Sequence, residues 1–146
     1  MGNIKEKFKK VLLSFYTECA AVFLSGGILY CSFEMLWRSH THITMFFAGG
    51  LCLLLIHLCE QRKKFQKFYL RCIMYAVMIT AVELVFGIVF NIILKMSVWD
   101  YSNRPFNLWG QICPSFFLVW IALSLAAMAF SRGISFLFNN MRKQFA

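Results

Sequence analysis

Residues Leu70–Lys95 read LRCIMYAVMITAVELVFGIVFNIILK, a run of 26 in which Glu83 is the one charge between Arg71 and Lys95. A helix that crosses a bilayer needs about 20 mostly apolar residues. This run has the length, and its carboxyl stands near the middle. An ionisable side chain at the bilayer centre costs at least about 2.5–3.5 kcal/mol, so it has to face protein or water rather than acyl chains. The stretch therefore fixes two expectations together: the chain spans a membrane, and the span packs into a bundle with Glu83 turned inward.

Three further runs of the same kind surround it. They extend from about Val11 to Trp37, from about Ile43 to Cys59 and from about Leu108 to Phe130, beside the third at about Leu70 to Lys95. Of the 146 residues, 60% are hydrophobic and 14% charged, against roughly 25% charged in a soluble domain. That balance excludes a soluble enzyme, a disordered chain and a secreted disulfide scaffold. Lys5, Lys7, Lys9 and Lys10 before the first run give it the outline of a signal peptide. The run is too long for a signal core of about 7–15 residues, so it reads as a retained helix. The expected fold is all-α, a four-helix transmembrane bundle forming one integral membrane domain over residues 1–146.

The charge sets the expected orientation. With the N-terminus in the cytoplasm, the inner segments hold Lys5, Lys7, Lys9, Lys10, Arg62, Lys63, Lys64, Lys67, Arg71, Arg132, Arg142 and Lys143, and the outer ones only Arg38, Lys95 and Arg104. Lys and Arg in short loops stay on the cytoplasmic side, which places both termini inside a multi-pass protein of the cell membrane. The basic clusters are then expected to meet anionic lipid headgroups, at about 1 kcal/mol per residue, and nucleic acid is not an expected partner. The tail from Arg132 reads as a helix end in the inner interface or as a continuation of the fourth span.

Cysteine and histidine carry little. None of Cys19, Cys31, Cys52, Cys59, Cys72 and Cys113 forms a Cys-x-x-Cys pair, and small polarizable core residues are the simplest reading. His57 and Glu60, three apart, read as a polar helix end at the inner interface. No cofactor or metal is expected.

The acidic residues are more telling. At 100° per residue Thr80, Glu83, Gly87 and Asn91 lie within an arc of about 80°. Gly87 would let another backbone come close. Glu34 stands near the outer end of the first span; Glu18, sixteen residues earlier, is about 24 Å away along the axis. It reads as structural, within reach of headgroups or of Lys10 and Arg71. In the outer connection, Asp100, Ser102 and Asn103 can cap backbone groups and Pro105 stiffens a turn, while Trp99, Tyr101 and Trp109 suit the headgroup zone. Asn107, Gln111 and Ser115 follow at four-residue spacing, as one face of the fourth helix. Pro114 either starts that helix or bends it. The ligand-binding set expected from this pattern is Glu34, Glu83, Gly87, Asn91, Trp99, Asp100, Tyr101, Ser102, Asn107 and Gln111, a polar vestibule in the outer half centred on Glu83.

The order Arg71-Cys72, Tyr75, Glu83, Gly87, Trp99-Asp100-Tyr101-Ser102, Asn107-Leu108, Gly110-Gln111 and Trp120 resembles the membrane family called Putative ABC-transporter type IV (CmpB-like). Gly26, Gly27 and Glu34 match the Gly-then-Glu segment of its first span, and the resemblance covers roughly residues 20–130. It implies a permease-type subunit. The chain has no Gly-x-x-x-x-Gly-Lys-Ser/Thr phosphate loop, so an ATPase would have to be a separate subunit. A homodimer could complete a bundle this small. The sequence thus favours a transport or permease-type subunit. The alternatives are a structural or regulatory membrane protein whose acids fix helix packing and, behind it, an integral membrane enzyme acting on a lipid.

Overall fold

The structure is a computed structural model that describes residues 2–62 and 67–144. Lys63 and Lys64 of the expected inner cluster lie outside the described residues, as do the side chains of Lys5, Lys7, Lys9 and Lys10. Four helices form: α1 (Gly2–Arg38), α2 (Ile43–Gln61), α3 (Phe68–Phe86) and α4 (Pro114–Gln144). A π-helical segment, Gly87–Ile93, carries α3 on without a break. Each helix is long and apolar enough to cross a membrane, over Leu12–Arg38, Ile43–Gln61, Phe68–Ile93 and Pro114–Lys143. The chain is a multi-pass membrane protein. Large apolar side chains such as Leu36, Ile43, Val77, Val85 and Leu118 point away from the protein, as expected of a surface solvated by acyl chains.

The helices run up and down, so the two termini share one end of the bundle with the α2–α3 connection. The α1–α2 turn and the loop from Leu94 to Cys113 share the other. We call these the termini end and the loop end. Two glycine pairs set the closest approach in the bundle. A β-carbon on Gly26 would stand 2.7 Å from the carbonyl oxygen of Gly49, and one on Gly50 would stand 2.7 Å from that of Phe23. Small residues let α1 and α2 cross with their backbones nearly touching, and dispersion contacts gather there in place of a hydrophobic drive that lipid cannot supply. Between α2, α3 and α4 the core is Ile56, Cys72, Tyr75, Ala76, Ile79, Trp120 and Met128.

Pro114 opens α4; it has no N–H to leave unpaired and its φ is already helical. Asn107 and Gln111 therefore do not share a helical face with Ser115. They belong to a wound loop in which Lys95, Ser97, Phe106, Trp109 and Gly110 all have positive φ and Leu108 bridges Ile112. At its far end α4 continues past Phe130 to Gln144, so the C-terminal tail is the same helix. His42 caps α2, its Nδ1 accepting the Thr44 N–H at 3.3 Å.

Candidate functional site

The last turn of α3, just before the π-helical segment, delivers Glu83 to a point where a loop and a helix both turn donors toward it. The Tyr101 hydroxyl donates to Oε1 at 3.0 Å and the Trp120 indole N–H to Oε2 at 2.9 Å. Phe116 stacks on the Tyr101 ring with centroids 4.4 Å apart, which holds the phenol in place. Both donors are neutral, so the described residues give this carboxylate no counter-ion.

Glu34, near the end of α1, is built differently. Its side chain is ion-paired with Arg38 one turn on, and Thr41 donates to its other oxygen at 2.5 Å. Arg38 also donates to the Val98 carbonyl at 3.3 Å, tying the α1 end to the long loop. This carboxylate is 6% exposed and fully matched.

A cavity of about 410 Å³ lies between the two acids. Its walls come from all four helices and the loop, among them Tyr30, Phe33, Phe86, Trp99, Tyr101 and Trp120, with Gly26, Cys52, Ile56 and Phe130 deeper along it. It has the form of a ligand pocket: mostly apolar, aromatic, with few polar groups. Burial, and after it the Glu83 charge, push the Tyr101 phenol above its ordinary range, so Tyr101 stays a donor.

Four of the ten residues singled out from the sequence therefore meet at this cavity: Glu34, Glu83, Trp99 and Tyr101. The other six form the loop above it or, as Gly87 and Asn91 of the π-helical segment do, hold it in place. Asn91, on the π-helical segment, donates to Gln111 Oε1 at 2.8 Å and to the Trp99 carbonyl at 3.0 Å, and accepts the Val98 N–H at 2.7 Å. Gln111 in turn accepts the Trp99 indole N–H on its carbonyl at 3.0 Å. Gly87 makes room for it, since a β-carbon there would stand 2.6 Å from Gln111 Oε1. Asp100 accepts both the Ser102 N–H, at 2.8 Å, and its hydroxyl, at 2.5 Å. Those bonds, the hydroxyl first, hold the Asp100 carboxyl below its ordinary value of 3.8. Asn107 donates to the carbonyls of Ser102 and Arg104 and accepts the Gly110 N–H. Thr80 returns its hydroxyl to the Ala76 carbonyl at 2.9 Å and takes no part.

Reasoning from the sequence missed Tyr30, Phe33, Phe86 and Trp120 as cavity walls. Two of them were open to discovery. Tyr30 lies one turn before Glu34 on the same face of α1, and an indole deep in a span needs an acceptor for its N–H.

A second polar cluster lies at the termini end and is richer than its sequence suggested. Glu18 is 1% exposed and pairs with Arg142 at 2.5 Å rather than with Arg71. Gln61 donates to Glu18 at 3.2 Å and to His57 Nε2 at 2.8 Å. His57 Nδ1 meets the Ser131 hydroxyl at 2.9 Å, and its Nε2 also stands 3.4 Å from Glu18 Oε1. Glu60 accepts Arg71 at 3.0 Å, Arg132 at 3.1 Å and the Tyr75 hydroxyl at 2.8 Å. His57 and Glu60 do form the polar end of α2. They face two separate networks.

The family model described as Putative ABC-transporter type IV matches residues 22–145. No curated protein and no solved structure matches the chain.

Proposed function

We propose, for a chain that belongs to the Putative ABC-transporter type IV family, that it is the solute-binding membrane subunit of a transport system, with Glu83 at the centre of its site. The family and the four spans make it a small transport-related membrane protein; the finer reading rests on the cavity. The observation that carries it is the contrast between the two acids: Glu34 already has its cation in Arg38, whereas Glu83 has only neutral donors among the described residues. In its ionised form the Glu83 carboxyl, beside Tyr30, Tyr101 and Trp120 in a cavity of about 410 Å³, suits an organic cation with an apolar body. The carboxylate attracts the charge and aromatic faces add cation–π attraction of about 0.5–2 kcal/mol.

The bias of twelve Lys and Arg against three supports a cytoplasmic termini end, so the loop end faces outward and the site is reached from that half. Basic residues at the termini end are expected to meet anionic lipid in the cell membrane. A separate ATPase would dock at that end, and a second copy of the chain could complete the permeation path.

The test is binding of phenyltrimethylammonium to the full chain reconstituted in liposomes. The wild type is expected to bind it, and Glu83→Gln to lose binding while circular dichroism and insertion stay unchanged. Equal binding by both, or none by either, overturns the reading. A Glu83→Gln protein that melts far lower and shows no ligand effect would assign the acids to helix packing instead.

A further inference from the structure

At the termini end a second cavity, of about 770 Å³, opens between α1, the last turn of α2, the first turn of α3 and the C-terminal half of α4. Its chemistry is unlike that of the loop end. Three guanidinium groups line it, those of Arg71, Arg132 and Arg142, against two carboxylates, Glu18 and Glu60. Both carboxylates are already matched, Glu18 by Arg142 and Glu60 by Arg71 and Arg132. Neither reaches out for a cation, and among the described residues one positive charge is left over. The donors are also incompletely used. Arg71 Nε is buried with no hydrogen-bond partner among the described residues. Arg132 meets Glu60 through Nε, which leaves the two terminal nitrogens of a side chain 56% exposed for another acceptor. Ser135 and Asn139, one turn apart on α4, add a hydroxyl and an amide, and Phe136 contributes an apolar wall.

We propose that this cleft binds a phosphate monoanion, held by the Arg132 fork with Arg71 and Arg142 behind it. A phosphodiester carries one negative charge, which equals the excess in the cleft, and its paired oxygens match the planar guanidinium fork. Two sources have that chemistry: a lipid headgroup, for which Phe136 offers the adjoining apolar surface, and free phosphate. The proposal does not depend on the cation site at Glu83.

Native mass spectrometry of the full chain in detergent, titrated with short-chain phosphatidylglycerol, tests it. One phosphatidylglycerol is expected to bind saturably, and diacylglycerol of the same chain length is not. Arg132→Gln should weaken binding by about tenfold, the loss of one charge-assisted contact, and Arg132→Lys by less. Glu60 keeps Arg71 and Tyr75 in that variant, so it is expected to fold; Asn139→Ala, expected to weaken binding a few-fold, provides a second reading. Competition by inorganic phosphate would identify the phosphate group alone as sufficient, and its failure would identify the lipid as the ligand. Equal retention of phosphatidylglycerol and diacylglycerol, or equal affinity in wild type, Arg132→Gln and Asn139→Ala, overturns the proposal.

Discussion

Asn91 donates its side-chain amide to Gln111 Oε1 at 2.8 Å and so pins the loop in front of α4 to the end of α3. The bond is made where the helix widens to π geometry, between Gly87 and Ile93. A π-turn inserts an extra residue into the repeat and re-aims the side chains beyond it. Asn91 consequently serves the loop, while Glu83, one turn before the change, serves the cavity. Above the cavity the loop is a fitted cover, made of side chains that satisfy one another.

Gly87→Ala should unseat that cover. The new methyl group would meet Gln111 at contact distance far below normal, and overpacking of this kind costs about 1–3 kcal/mol. A lowered melting temperature in detergent, with faster proteolysis of the 94–113 loop, is expected. Gly133→Ala is the control: nothing lies within 4 Å of a β-carbon there, so its melt should be unchanged or slightly higher.

Ligand affinity should respond to the charge at Glu83 more than to its hydrogen bonds. Glu83→Gln is expected to weaken phenyltrimethylammonium binding at least about tenfold, since a charge pair near 4 Å is worth several kcal/mol at intermediate dielectric. Tyr101→Phe and Trp120→Phe each remove one neutral donor and keep a ring, so smaller losses are expected. Calorimetric titration in nanodiscs gives the order of the three.

At the opposite end, Arg142→Gln strands a buried acid. The side chains are 34% and 2% exposed for Arg142 and Glu18. Removing one partner of a buried pair costs about 3–5 kcal/mol, and the partial exposure of the arginine reduces this to about 2 kcal/mol. Adding Glu18→Gln should restore most of the loss, because an amide without charge tolerates the site. Denaturant titration of both variants measures it, and a double variant as weak as the single one would mean that the stranded Glu18 charge is not the source of the loss.

Acid should loosen the loop through Asp100. Its folded carboxyl titrates below the ordinary 3.8, so its contribution is present above that value and is lost as pH falls below it. Amides of residues 100–110 are expected to exchange faster at pH 3 than at pH 6, after correction for intrinsic rates. Asp100→Asn should reduce that difference.

The sequence made the four spans and the inward turn of Glu83 readable, because length, hydropathy and the cost of a charge in lipid are local properties. It also exposed the Trp99–Ser102 block, whose turns are closed by near neighbours. Three things needed the fold. The π-helical segment shifts the phase after Phe86, so a 100° wheel groups Asn91 with Glu83 although they do different work. Pro114 allowed two readings, and only the bridge at Leu108–Ile112 decides for a helix start. The pairs at the termini end join residues 43, 72 and 124 apart, and no periodicity announces which arginine will meet which acid.

The unbroken course of α4 has a mechanical consequence. At 31 residues it is about 46 Å long, well over a hydrocarbon thickness of about 30 Å, and it holds Trp120 near one extremity and Arg142 near the other. A helix with no hinge tilts as a single rod. Trp120, which donates to Glu83, and Arg142, which pairs with Glu18, therefore stand on one continuous helix that ties the two polar clusters together at a fixed spacing along its axis.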